Sequence, residues 1–140
     1  GKLEGLTVNS FSTVSLEPPL VLWNLARRAG SFATFVDATY FAVNVLSRDQ
    51  LHLCRHFATR RADKLAGIAH RPGIGGCPFL DDTIAQVECR RETFFDGGDH
   101  VIFVGRVLRA SHGEGDPLIF SGGGYHGTAA LPGSGGQRLL

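Results

Sequence analysis

Apolar residues fall into two short continuous runs and two longer alternating runs, and this pattern predicts a chain built mainly from β-strands. Residues 20–25 and 41–46 are the continuous runs, which are typical of buried strands. The alternating runs cover residues 84–95 and 100–110 and are joined at Asp96-Gly97-Gly98-Asp99. Two alternating runs joined by so short a Gly- and Asp-rich segment are the strongest hairpin signal in the chain.

Weaker signals complete the strand pattern. Residues 3–14 alternate loosely and are rich in Thr, Ser and Val, which predicts a strand followed by a polar turn. Pro18-Pro19 marks a strand entry or an edge, because proline donates no ladder hydrogen bond. Residues 117–120 predict a short strand that leads into Gly122-Gly123-Gly124. Residues 59–78 are rich in Gly and Arg without periodicity and predict a connection that is functional or partly mobile.

Two segments predict short helices. Ser31 is a favourable N-cap for a helix with Phe32, Phe35 and Val36 on one side. Residues 47–50, Ser-Arg-Asp-Gln, form a capping box. The helix that follows this box places four residues at helical spacing on one face: Leu51, Cys54, Phe57 and Ala58.

About six short strands with only two modest helices favour a mainly β fold, an antiparallel, Greek-key-like barrel with a few appended helices. A chain of 140 residues fits one domain. We expect this domain to cover residues 1–127 and a further segment to precede Gly1. Residues 128–140 are rich in Gly and Ser, so we expect a poorly ordered tail there.

Composition narrows the classes of function. The formal net charge is +1, which gives no support to a nucleic-acid partner. No apolar run reaches the roughly 18 residues of a membrane span, and no signal peptide is visible. The three cysteines are Cys54, Cys77 and Cys89, without a pairing pattern, which favours a reducing, cytoplasmic location.

Most of residues 7–15 carry a hydroxyl or an amide. Such side chains, with the N–H groups of a turn, can hydrogen-bond the carbonyls and ring nitrogens of a flat heteroaromatic ligand. The same composition is also common in ordinary turns, and on this pattern alone a turn is the stronger interpretation.

The order of segments along the chain changes that balance. The relevant segments are TVNSFSTVSLEPPLVL (7–22), FAVNVLS (41–47), FA (57–58), DKLAG (63–67), GDHVIFVG (98–105), PLIF (117–120) and GGY (123–125). From Gly5 to Gly127 the chain resembles the short-chain flavin reductase family. These proteins are FMN-binding split barrels that serve as reductase components of two-component flavin-dependent monooxygenases.

The resemblance implies a set of site residues. Residues lining the isoalloxazine and ribityl chain would be Asn9, Ser10, Phe11, Ser12 and Thr13, with Ser15 and Leu16 close behind. The flavin phosphate would lie at Gly30, Ser31 and Phe32, where the predicted helix start also offers free N–H groups to an anion. Lys64 would contact the flavin, and the nicotinamide side would hold His100, Gly123 and Tyr125. Ser121 and Gly122 stand where the family often has an arginine, which puts the strength of dinucleotide binding in doubt.

The implied activity is NAD(P)H-dependent flavin reduction. FMN or FAD would accept hydride from NADH or NADPH, which would bind transiently as a substrate, since no dinucleotide-binding fingerprint is present. Reduced flavin would pass to a partner monooxygenase. The alternatives are a flavin-retaining electron carrier or binding module, and an oxidoreductase with flavin as a fixed prosthetic group, because fold does not decide function.

Two other sequence patterns predict neither a metal site nor a nucleotide-binding loop. His52 and His56 lie four residues apart on a predicted helix, but no third ligand follows at a recognised spacing, so we expect no metal site. Gly73-Ile74-Gly75-Gly76 is neither a phosphate loop nor a dinucleotide fingerprint.

The long hairpin also predicts a homodimer. It carries apolar residues on both faces, with Phe103 and Val107 on one and Ile102, Val104 and Leu108 on the other. A strand buried on both sides needs a second layer, which so short a chain hardly supplies. A partner subunit related by a two-fold axis is the commonest solution.

Overall fold

The computed structural model describes residues 2–133. Strands predominate, and the helices are short. The elements in chain order are β1 (Ser12–Leu16), β2 (Pro19–Ala26), α1 (Phe32–Asp37), β3 (Tyr40–Val45), a 3-10 turn (Arg48–Gln50), α2 (Leu51–Phe57), β4 (His70–Pro72), a second 3-10 turn (Ile74–Gly76), β5 (Pro78–Leu80), β6 (Ala85–Gly97), β7 (His100–His112), β8 (Ile119–Ser121) and β9 (Gly124–His126).

Five strands form one antiparallel sheet in the order β1-β2-β7-β6-β3. The β6–β7 hairpin is its centre, and β2 runs along β7 from the pair Leu20–Arg106 to the pair Ala26–His100. The hairpin closes through the two residues Gly98-Asp99, and Gly98 has a φ of 74°. Glycine adopts this conformation without steric cost, so the turn follows directly from the local sequence.

Trp23 is the centre of the main core. Its ring stacks on Phe103 with the centroids 5.0 Å apart and meets Phe35 edge-on at 5.1 Å. Gly105 leaves room for a third aromatic side chain, because a Cβ there would lie 2.3 Å from the Phe41 ring. The other buried residues of this core are Val21, Leu25, Cys89 and Val101. In β2 and β7 these buried residues alternate with half-buried ones. One face of the sheet therefore packs against the main core, and the opposite face does not.

Both helices cover apolar surface. Phe32, Phe35 and Val36 of α1 all pack against the main core, as the pattern predicts. The box at Ser47 is also confirmed, since its N–H donates to Gln50 Oε1 at 3.0 Å.

The predicted inner face of α2 is only half right. Cys54 and Phe57 are buried, but Leu53 is buried where Leu51 was expected, and Ala58 is exposed. Leu53, Cys54 and Phe57 also share one face at helical spacing, and Ala58 is the C-cap residue at which α2 ends. A second core under α2 joins Leu53, Phe57, Leu65 and Leu80.

The long hairpin, the strands β2 and β3, and the mainly antiparallel architecture are confirmed. The predicted strand at residues 3–14 is wrong, because within residues 2–133 no strand begins before Ser12. Leu6, Val8 and Phe11 still pack on the main core. Their alternation therefore arises from an extended segment lying over the core, and not from ladder pairing.

The connection at residues 59–78 contains β4, the second 3-10 turn and the start of β5. The extent of the domain, residues 1–127, stays a prediction. Residues 128–133 have no helix or strand, and residues 134–140 of the predicted tail lie outside the described part of the chain. Within residues 2–133, no helix has the length and apolar character needed to cross a membrane. The three cysteines are free thiols, and burial raises the pKa of Cys89 to about 12.

Candidate flavin site

A cleft of about 420 Å³ lies beside β2 and the β6–β7 hairpin. This volume lies within the usual range for small-molecule sites, about 300–1,000 Å³. One wall is the irregular segment before β1, and the opposite wall is the end of the β6–β7 hairpin beside β2. The lining residues are Leu6, Thr7, Val8, Asn9, Ser10, Asn24, Ala26, Gly97, His100 and Ile102.

The segment wall is fixed by hydrogen bonds to two elements. The Thr7 hydroxyl donates to the Cys54 carbonyl oxygen at 2.6 Å, which ties the segment to α2. The backbone N–H of Asn24 donates to Ser10 Oγ at 2.9 Å, which ties it to β2. Because Ser10 Oγ is the acceptor in that bond, its own O–H proton is available for a ligand.

His100 forms the hairpin wall, directly after the tight turn. Its Nδ1 lies 2.6 Å from Asp99 Oδ1, and this contact holds the pKa of the Asp99 carboxyl below its usual range. A carboxylate only accepts, so Nδ1 carries the proton and Nε2 remains unused in this contact.

The donor set fits a flavin. Asn9, Ser10, Asn24 and His100 offer donors and acceptors, and the remaining walls are largely apolar. A flat ring system with one polar edge and one apolar edge needs this combination. In addition, the Asn24 Oδ1 atom is buried and has no hydrogen-bond partner among the described residues.

The sequence did not single out Asn24. Asn24 is an amide within the otherwise apolar run of residues 20–25, and that run predicts only a buried strand.

Several predicted flavin residues lie elsewhere. Phe11 packs on the main core, and the exposed Ser12 hydroxyl donates to the Thr13 carbonyl oxygen at 3.2 Å. Thr13, Ser15 and Leu16 line a second, more apolar cleft of about 270 Å³ beside Leu20 and Val107. Within one chain, the predicted flavin segment is therefore divided between two clefts.

The predicted phosphate residues surround the start of α1. Ser31 precedes the helix as expected, but its buried side chain makes no capping hydrogen bond. Phe32 packs on the main core. Gly30 is exposed, with open space where a Cβ would lie.

Lys64 ties backbone segments together. Its Nζ donates to the carbonyl oxygens of Gly5 and Phe57, each at 3.0 Å. Burial lowers the pKa of Lys64. His56 supports the same loop, with Nε2 2.7 Å from the Lys64 carbonyl oxygen. Lys64 thus secures the end of α2 to the segment that continues into the cleft wall.

Gly123 and Tyr125 belong to the β8–β9 hairpin. Gly123 has a φ of 79° in the turn, and the Tyr125 ring lies 5.3 Å from that of Phe120. A hydrogen bond with the Cys54 side chain raises the pKa of the Tyr125 phenol, so this hairpin lies against α2. The structure thus gathers Asn9, Ser10 and His100 in one cleft, and the roles of the other residues stay predictions.

The antiparallel sheet and its half-polar cleft define a small flavin-binding split barrel. The family model for the flavin reductase like domain matches residues 1–129. The chain belongs to the flavin reductase family, and it is an NAD(P)H:flavin oxidoreductase.

Two curated relatives and one solved structure illustrate the similarity. The FMN reductase (NADH) SmoA of Agrobacterium fabrum is 48% identical over 121 residues, which cover 86% of this chain and 69% of that protein. The flavin-dependent monooxygenase reductase subunit HsaB of Rhodococcus jostii is 40% identical, over 88% of this chain and 64% of that protein. The Streptomyces globisporus NADH:FAD oxidoreductase SgcE6, solved with NAD and FAD fragments, is 34% identical. Its TM-score is 0.87, and the match covers 96% of this chain and 82% of that one.

Proposed function

We propose that this flavin reductase works at the cleft between the Asn9–Ser10 segment and His100, and that it supplies diffusible reduced flavin to a separate monooxygenase. The observation that carries the proposal is the placement of these polar residues on facing walls of one cleft. The flavin would supply the redox chemistry, the acceptance of hydride from a reduced nicotinamide ring.

The protein contributes binding and orientation. The free proton of the Ser10 hydroxyl and the exposed amide of Asn9 are donors toward the cleft. Donors held in place before the reaction stabilise negative charge that develops on a ligand. His100 stands on the other wall, where it would orient the dinucleotide.

Release of the product requires moderate affinity. One wall of the cleft is an irregular segment held by a few hydrogen bonds, among them Thr7 to Cys54 and Lys64 to Gly5. Such a wall favours exchange of ligand over permanent retention. The relatives include reductase subunits of a flavin-dependent monooxygenase and of a stachydrine N-demethylase, which supports a separate acceptor enzyme.

We also propose that the working unit is a homodimer. Leu16 is 95% exposed at the end of β1, and Phe95 and Leu108 are also exposed on the long hairpin. The predicted flavin residues Thr13 and Ser15 lie near Leu16, in the second cleft. A second subunit on these apolar surfaces would cover them and bring further residues toward each flavin site.

The test combines an assay with gel filtration. Oxidation of NADH and of NADPH is followed at 340 nm with FMN, FAD or no flavin added. We expect added flavin to accelerate oxidation at least about tenfold, and flavin to separate from the protein on the column. A protein that keeps its flavin and oxidises NADH slowly would be the carrier that the sequence left open. Transfer of reduced flavin to a monooxygenase held behind a dialysis membrane tests diffusible supply.

A further inference from the structure

Asn24 is an amide in an otherwise apolar strand. The sequence of β2 is PLVLWNLA, and its neighbours Trp23 and Leu25 point into the main core. Asn24 lies on the opposite face, across from Ile102 of β7. An apolar residue would suit this position better for folding alone, because a buried amide lowers stability unless it is hydrogen-bonded.

The side chain of Asn24 has unused hydrogen-bonding capacity beside the cleft. Its backbone N–H is bonded to Ser10 Oγ, but its Oδ1 is buried without a partner in residues 2–133. The residue lines the same cleft as Asn9 and His100. An orphaned acceptor at a cleft wall is the feature that a ligand donor would satisfy.

The amide is also free to turn. Rotation about χ2 of an asparagine has a broad, roughly two-fold profile. Oδ1 has no hydrogen bond within residues 2–133, so turning this atom toward a ligand breaks no hydrogen bond of its own. After such a turn the amide presents one acceptor and two donor protons side by side.

We propose that Asn24 recognises the pyrimidine edge of the flavin ring, accepting from its N3–H and donating to an adjacent ring carbonyl. That edge places a donor between two acceptors, which matches a primary amide as a paired contact. The inference rests on the proposed function. The flavin ring is preferred over the nicotinamide carboxamide because Asn24 is bonded to Ser10, which belongs to the predicted flavin segment.

The test uses riboflavin and 3-methylriboflavin, which lacks the N3 proton. Dissociation constants are measured by quenching of flavin fluorescence for the wild-type protein and for Asn24→Leu. We expect the wild type to bind riboflavin about tenfold more tightly than the methylated flavin. Asn24→Leu should bind riboflavin about tenfold more weakly than the wild type does, with no preference between the two flavins.

Leu22→Ala is the matched control, since Leu22 lies on the same face of β2, two residues away. It should keep the preference for riboflavin. The thermal midpoint adds a second readout: Asn24→Leu should not fall below the wild type, because it removes an unpaired buried acceptor.

The outcomes separate the two proposals. Equal affinity of the wild type for both flavins overturns the role of Asn24, and this comparison needs no variant to fold. A preference that persists in Asn24→Leu assigns N3 recognition to another group, such as a backbone carbonyl. A wild-type protein that binds neither flavin and shows no flavin-dependent NADH oxidation overturns the proposed function itself.

Discussion

Arg27 is hydrogen-bonded to Gly98 and so connects the segment after β2 to the hairpin turn. Its Nε donates to the Gly98 carbonyl oxygen at 2.9 Å, its backbone N–H donates to Asp99 O at 2.9 Å, and its Nη2 pairs with Asp96. This pairing holds the pKa of Asp96 below its usual range. The turn held in this way leads directly into His100.

Arg27→Ala should therefore disturb the position of His100 more than the stability of the fold. We expect kcat/KM for NADH to fall about three- to tenfold, because small displacements of a site residue reduce turnover. The thermal midpoint should change by less than about 3 °C, since exposed ion pairs contribute little to stability. Arg27→Lys should restore part of the activity. Steady-state kinetics with the neighbouring Arg28→Ala as control check this, and an equal loss in the control would contradict it.

His100 should act at the dinucleotide step. We expect His100→Ala to lower NADH turnover tenfold or more, the range for loss of one positioned polar group, with flavin affinity little changed. His112→Ala, at the exposed far end of the same strand, is the matched control. Stopped-flow reduction of the flavin gives the rate. If flavin binding collapses while NADH kinetics persist, His100 lies on the flavin side.

Substitutions at Asn9 and Ser10 should differ in their effect on thermal stability. Asn9 is exposed, whereas Ser10 Oγ accepts the N–H of Asn24. Asn9→Ala should raise the KM for flavin several-fold without changing the thermal midpoint. Ser10→Ala should raise KM and also lower the midpoint by about 5 °C, because it leaves a half-buried N–H without its acceptor.

Ser10→Thr keeps the hydroxyl and should recover the midpoint. The measurements are flavin titration of the initial rate and differential scanning calorimetry. A lower midpoint with unchanged flavin kinetics in both alanine variants would make the segment purely structural.

Local signals explain which parts of the fold were predictable. The β6–β7 hairpin follows from alternation and from the turn glycine at Gly98, all within one stretch of sequence. The contact from Lys64 to the Gly5 carbonyl spans 59 residues and leaves no local pattern, so it was not predicted. The segment before β1 was misassigned for the same reason, since packing on a distant core imitates strand alternation.

The site was predictable only in part. Asn9 and His100 are predicted as site residues because segments along the chain resemble the family in the same order. The structure places both residues at one cleft. Asn24 left one visible signal, an amide in an apolar run, but periodicity alone gives such a residue no role. The second cleft at Thr13 and Leu16 depends on how β1 folds against β2, which single-chain patterns do not specify.

Glu88 should make stability sensitive to acid. The carboxylate is 3% exposed, accepts the Ile74 N–H at 2.8 Å and forms two hydrogen bonds with Arg109. The Arg109 hydrogen bond is the main cause that lowers the pKa of Glu88. A carboxyl whose pKa is lowered by folding stabilises the folded state above its ordinary pKa, about 4.3. This stabilisation is lost as the pH falls from there through the lowered value.

Glu88→Gln should reduce the free energy of unfolding by about 2 kcal/mol at pH 7, because the buried carboxyl loses the charge that strengthens its two hydrogen bonds to the exposed Arg109. Its midpoint should also fall less than that of the wild type between about pH 5 and pH 3. Glu92→Gln, which removes an exposed pair with Arg106, is the control and should follow the wild type. Parallel curves for wild type and Glu88→Gln would exclude this role.

The face of the sheet opposite the main core carries apolar side chains beside the cleft. There Leu22 of β2 pairs with Val104 of β7, and Asn24 pairs with Ile102, so the cleft continues directly into this apolar surface. Phe95, opposite Ile102 on β6, is 55% exposed and extends the surface further. If a second subunit covers it, assembly and activity depend on the same side chains.

Val104→Asp tests this dependence, because Val104 is half-buried and Asp there would place a charge in the interface. We expect the variant to sediment as a monomer at micromolar concentration, and flavin reductase activity to fall at least about tenfold with assembly. Val104→Thr, close in shape and uncharged, should remain dimeric and largely active. Circular dichroism distinguishes a folded monomer from an unfolded chain. Sedimentation of a fully active wild-type monomer at the same concentration would refute the homodimer, since the exposed apolar face would then have no subunit to cover it.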